Sequence, residues 1–344
     1  MSTEVKSKTF GTLPDGRKAE LFTLKNKSGA TAKVTNYGAT LTELWAPNKQ
    51  GEFANIVIGF DNLQEYLDCK CYYGATIGRY ANRIGSGTFK LDETEYKLAL
   101  NNKTCTLHGG NVGFDKMLWN AEQSDDQTIT FRHLSKHLEE GFPGNLNAKV
   151  TYKLTDDNKL EIEFHATTDQ PTIVNMTNHA YFNLNGMGVG DILDHELLIH
   201  ADHYVPVDEA LIPTGELAAV ANTPFDFREF HTIGERAKEA GGGYDHNFCF
   251  RDRSNPKAVK AELKASGRRL RIYATQPGLQ IFTSQSFHEL GDKSPYYDFS
   301  GIALETQHYP DSINQKNFPG NTILKPGEEY LERYVIDFTP SSDD

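Results

Sequence analysis

The sequence predicts an all-β protein, a large antiparallel β-sandwich. Three observations lead there. Alternation of apolar and polar residues, the mark of a half-buried strand, recurs in many short runs. Turn formers separate the runs, drawn in part from 14 prolines and 29 glycines. Helix signals are few and short, the best being 62–68 and 233–240.

Taken in order, the first long alternating run is Lys33–Trp45. Thr88–Leu91 and Glu95–Leu100 flank Asp92-Glu93 as a hairpin, and Thr128–Leu134 follows. The clearest hairpin comes next. Leu146, Ala148, Val150, Tyr152 and Leu154 alternate with polar residues, Asp156-Asp157-Asn158 turns the chain, and Leu160, Ile162, Phe164 and Ala166 resume the pattern. Glu196–His200 is a shorter run. Ala258–Leu263 and Leu270–Thr275 pair around Ser266-Gly267, and Ile302–Gln307 and Tyr330–Phe338 complete the set. No linker, composition step or fixed-period repeat divides the chain, so residues 1–344 are expected to form one domain with ample core.

A net charge of −12 disfavours nucleic acid and anionic membrane surfaces as partners, because both reward a basic face. The segment MSTEVKSKTF carries no apolar stretch of a signal peptide, and no run is long enough to span a bilayer. Cys69, Cys71, Cys105 and Cys249 fit neither a zinc pattern nor a disulfide framework. Thiols in a reducing cytoplasm are the expectation.

One stretch stands apart from this ordinary composition. In NMTNHAYFNL (Asn175 to Leu184), read as a strand, one face carries Asn175, Thr177, His179, Tyr181 and Asn183. Five polar or aromatic groups in a row on an inner strand need hydrogen-bond partners, as in a wet groove holding a polar ligand. A plainly solvated face is the bland alternative. His108 in TLHGG sits beside two glycines that permit close backbone approach. Glu305 in GIALETQHYPD shares a strand face with Ala303 and Gln307, an acid amid apolar neighbours. Asp245 follows three glycines, and Arg83 offers a fixed fork for oxygen-rich ligands. Taken singly, each has a bland reading as a loop or surface residue. Together, without a nucleotide motif, they suit acid–base work on a polyhydroxylated neutral molecule. A zinc site of His108, His179 and Glu305 is conceivable on ligand type, but no local spacing supports it, so no metal is expected.

The same stretch resembles a signature of the aldose 1-epimerases, the galactose mutarotase family. GRYANRI, TLHGG with the following GFDK, VPVDEALIPTGE, GYDHNF, TQPGLQIFT and LETQ resemble that family's motifs in the family's order, over roughly residues 70–310. The resemblance implies a galactose mutarotase-like supersandwich and interconversion of the anomers of free hexoses such as galactose and glucose, without a cofactor. It implies that His179 is the general acid to the ring oxygen, that Glu305 is the base to the anomeric hydroxyl, and that His108 supports the ring-oxygen region. It also implies that Asn82, Arg83, Asp245 and Gln280 bind sugar hydroxyls. The assembly expected is a monomer or weak dimer. After LETQ the chain departs from the family's close animal members, with His308-Tyr309 in place of asparagine and tryptophan.

Three rivals remain. A glycosidase needs two facing carboxylates, not a His–Glu pair. A non-catalytic sugar-binding module need not keep both His179 and Glu305. A hexose 6-phosphate 1-epimerase needs extra cations at the groove, and Arg79 and Arg83 are the candidates read from the matched motifs.

Overall fold

A computed structural model describes residues 7–290 and 294–340, with the side chains of residues 289 and 290 outside the description. Three antiparallel sheets carry it. A five-stranded sheet runs through Ser7–Thr12, Lys18–Lys25, Thr31–Thr35, Thr40–Pro47 and Phe53–Asn55. A nine-stranded sheet is built around the hairpin Leu146–Leu154 with Lys159–Thr168 and continues through Tyr330–Asp337 to Arg268–Ala274. A six-stranded sheet orders Tyr181–Phe182, Ile302–Gln307, Gly278–Phe282, Asp245–Phe250, Ala201–Val205 and Ala218–Ala219.

Alternation decides which faces meet. Val150, Tyr152, Ile162 and Phe164 from the nine-stranded sheet share one core cluster with Leu279, Ile281, Ile302 and Leu304 from the six-stranded sheet. Val34, Leu41 and Leu44 of the five-stranded sheet join it. The fold is therefore a β-sandwich closed by apolar faces, as the sequence predicts. Because Ile302 and Leu304 point into that core, Ala303, Glu305 and Gln307 face the other way. Register then aligns Asn247, Gln280 and Glu305 across three adjacent strands.

Two sequence expectations change. The run Lys33–Trp45 is two strands, because Gly38 and Ala39 take φ +67° and +44° and turn the chain. The stretch Asn175 to Leu184 is not one strand. Thr177–Asn178 pairs with Thr76–Ile77, and Tyr181–Phe182 pairs with Ile302 and Ala303. Both of its faces are buried, and its three asparagines bond to backbone. Asn175 accepts from His308 N–H and donates to its carbonyl; Asn178 donates to Gly74 O; Asn183 donates to Ser300 O. The helical segments are short, Leu63–Asp68 capped by Asn62 and Ile233–Ala237.

Candidate active site

A cleft of about 890 Å³ opens beside the six-stranded sheet, within the ~300–1,000 Å³ typical of small-molecule sites. Its wall includes Asn82, Arg83, His108, His179, Asp245 and Glu305, drawn from five separate stretches of chain. Nε2 of His179 lies 3.4 Å from Oε1 of Glu305, and both side chains are nearly inaccessible. The His108 ring packs edge-on to His179, with centroids 5.2 Å apart.

The local sequence explains how His108 is held. Asn82 and His108 both adopt left-handed backbone, φ +64° and +50°. His108 N–H donates to Asn82 O, and Asn82 N–H donates to His108 Nδ1. Gly109 is required, since a Cβ there would meet Gly78 O at 2.0 Å. An Nδ1 that accepts a backbone proton leaves the proton of the neutral ring on Nε2. Burial holds His108 well below the ordinary histidine range, and the neighbouring His179 adds to the shift. His108 is thus a neutral N–H donor.

Burial shifts His179 and Glu305 in opposite directions. Burial lowers His179 to about 4 and raises Glu305 well above the usual carboxylate range, with Asp245 adding to the second effect. His179 Nδ1, Glu305 Oε2, Gln280 Oε1 and Arg83 Nε are buried without a hydrogen-bond partner. Each such atom costs roughly 1–3 kcal/mol in a stable fold. Their concentration around one cleft marks a site organised for a polar ligand rather than for stability.

Asp245 is braced on both oxygens, by Gln280 Nε2 at 2.6 Å and by Arg83 at 3.5 Å. Gln280 stands behind Asp245 and is not a wall residue, whereas the other six residues expected at the site line the cleft. Of the five polar positions singled out in Asn175 to Leu184, only His179 and Tyr181 reach it. Arg79 does not reach it. It is buried and donates to Pro143 O, Gly144 O, Ser135 O and Oγ, Lys136 O and Thr172 Oγ1. The sequence reading missed Tyr72, Asp115 and three wall lysines, Lys70, Lys103 and Lys116. Asp115 and Lys116 lie in the quoted GFDK, so a signal existed for them; Tyr72 had none.

One potential ligand atom each from His108, His179 and Glu305 lies within 4.8 Å of the others. Zinc needs a lone pair from each imidazole. His108 Nδ1 already accepts from Asn82, and Nε2 carries the ring proton, so the set fits a metal poorly.

The aldose 1-epimerase family profile matches residues 20–337. The chain is 45% identical to a galactose mutarotase of Sus scrofa, covering 93% of this chain and 94% of that protein. It is 39% identical to an aldose 1-epimerase of Escherichia coli, covering 92% and 94%. Among solved structures, an aldose epimerase homologue from C. elegans superposes with a TM-score of 0.87 at 29% identity, covering 94% of this chain and all of that one. A galactose 1-epimerase from Lactobacillus acidophilus gives 0.86 at 28%, covering 98% and 100%. The chain belongs to the aldose 1-epimerase family.

Proposed function

We propose that this chain is an aldose 1-epimerase that interconverts the α and β anomers of free hexoses such as galactose and glucose. The 3.4 Å approach of His179 to Glu305 in the cleft carries the reading. Glu305 takes the proton of the anomeric hydroxyl while protonated His179 gives one to the ring oxygen. The ring opens, the aldehyde rotates about C1–C2, and closure on the other face reverses both transfers. Opening turns a carboxylate and an imidazolium into two neutral groups. A buried pair is costly when charged, so the same burial that raises Glu305 and lowers His179 favours the opening step.

In this reading His108 donates through Nε2 toward the ring-oxygen region. Arg83 and Asp245, the latter held by Gln280, bind hydroxyls, and Asn82 lines the cleft while fixing His108. No step requires a cofactor. Arg83 and Lys116 are each paired with an acid, Asp245 and Asp115, which supports a neutral sugar over a phosphate dianion. Lys103 in the cleft wall makes a hexose 6-phosphate the second reading. We also propose a single domain acting as a monomer or weak dimer in the cytoplasm. Polarimetry of fresh α-D-galactose, α-D-glucose and glucose 6-phosphate tests the function. Accelerated mutarotation of the first two supports it, acceleration of glucose 6-phosphate alone shifts it to the phosphate, and acceleration of none refutes it.

A further inference from the structure

Tyr72 is a non-glycine residue at φ +57°, a region that strains a large side chain and suits glycine or asparagine. The turn it begins is tied to His179 from both sides. Gly74 N–H donates to His179 O, and His179 N–H donates to Ala75 O. Gly74 is fixed in that turn, because a Cβ there would meet Leu41 O at 1.9 Å. The Tyr72 ring is thereby carried over both histidines. It stacks on His179 with centroids 5.8 Å apart and planes at 28°, and meets His108 edge-on at 4.7 Å. The Lys116 ammonium, held by Asn111 O and Asp115, lies 5.8 Å from the ring centre.

We propose that Tyr72 is a positioning residue, whose ring fixes the mutual orientation of the His108 and His179 imidazoles and keeps water from them. The inference rests on the reading of this cleft as the mutarotation site. Strained backbone that persists beside a reacting group is accounted for when the side chain it delivers has work there. Delivered here is a flat apolar surface against two rings that need fixed orientation and low local polarity. Tyr72 does not exchange protons in this account. Burial raises its hydroxyl above the ordinary tyrosine range, and the Asp115 carboxylate adds to that.

The groups facing His179 are Glu305, Asp245, His108, Tyr181 and Tyr72, and those acting on His108 are His179, Arg83 and Lys116. Only Tyr72 changes in the test, so a moved pH limit reports the loss of its ring. Tyr72→Asn accepts the left-handed backbone and removes the ring. Its turnover should fall by about 10–100-fold, the scale of a small misplacement of a reacting group. The acid limit of its pH–rate profile should move up toward the ordinary histidine range. Tyr72→Phe keeps the ring and should hold turnover to within about threefold with an unmoved limit. Tyr72→Gly, the least strained residue at this φ, repeats the ringless test should the asparagine variant misfold. Wild-type turnover or an unmoved acid limit in the folded ringless variant overturns the proposal. So does a Tyr72→Phe loss as large as that of Tyr72→Asn, which assigns the effect to the hydroxyl. An inactive wild type instead refutes the mutarotase reading itself.

Discussion

Asp245 and Gln280 face each other from adjacent strands, Gln280 Nε2 donating to Asp245 Oδ1 at 2.6 Å, while Arg83 approaches the other oxygen of the carboxylate at 3.5 Å. A carboxylate braced on both oxygens is an oriented acceptor for sugar hydroxyls rather than a mobile proton carrier. Asp245→Asn should therefore raise KM by about tenfold or more, with a smaller effect on kcat, as loss of uniform binding does. Steady-state mutarotation rates against galactose concentration check this.

The same substitution has an electrostatic consequence. Asp245 raises Glu305 after burial itself has done so. Removing that negative charge makes the ionised Glu305 less costly, so its pKa falls. In Asp245→Asn the alkaline limit of the pH–rate profile should move to lower pH, which a rate series at saturating sugar reads directly.

For the unsubstituted protein, the profile belongs to the pair. Between the two limits the pair holds one proton, on either partner. A second proton enters only at acid pH, because burial lowers His179 to about 4. The last proton leaves only above the ordinary carboxylate range, because Glu305 is raised. Activity should thus be flat across neutrality and fall on the acid side nearer pH 4 than the 6.5 of an exposed histidine. A fall centred near 6.5 would show that water reaches His179.

Arg79 gives a prediction about stability rather than catalysis. Its guanidinium satisfies the carbonyls of Pro143, Gly144, Ser135 and Lys136 in the interior. Arg79→Met leaves them without partners and should destabilise the fold by on the order of 3 kcal/mol or more. Denaturant unfolding measures this, and turnover per folded molecule should change far less than for any cleft residue.

The tautomer of His108 predicts the response to chelators. With Nδ1 accepting from Asn82 N–H, the cleft offers sugar a donor where zinc requires a lone pair. Exhaustive EDTA treatment should leave mutarotation intact. Loss of activity restored by added Zn²⁺ would mean that the His108 tautomer is not the one assigned.

Period-2 alternation made the sandwich legible. It also gave the facing of Glu305, because Ile302 and Leu304 had to enter the core and left Glu305 to the other side. Alternation misread Asn175 to Leu184, where successive residues pair with different partners and both faces are buried. Asn175 and Asn183 look like groove residues in the sequence, yet their amides bond to His308 and Ser300, more than a hundred positions away. The resemblance to the family named Gln280, and only the structure shows it acting on Asp245. Tyr72 was invisible because its backbone conformation, not its spacing, delivers the ring.

The central claim is that Glu305 and His179 form the proton-transfer pair, and Glu305→Gln tests it most directly, by polarimetry of fresh α-D-galactose alongside calorimetric measurement of galactose binding. Glutamine keeps the size and hydrogen bonding of the residue but removes the base. Turnover should fall by about 10²–10⁴-fold with binding largely kept, His179→Asn should match it, and the double variant should lose far less than the product of the two, since both act in one step. If Glu305→Gln altered only KM while Asp245→Asn abolished turnover, the base would be Asp245 and the account of the pair would be wrong.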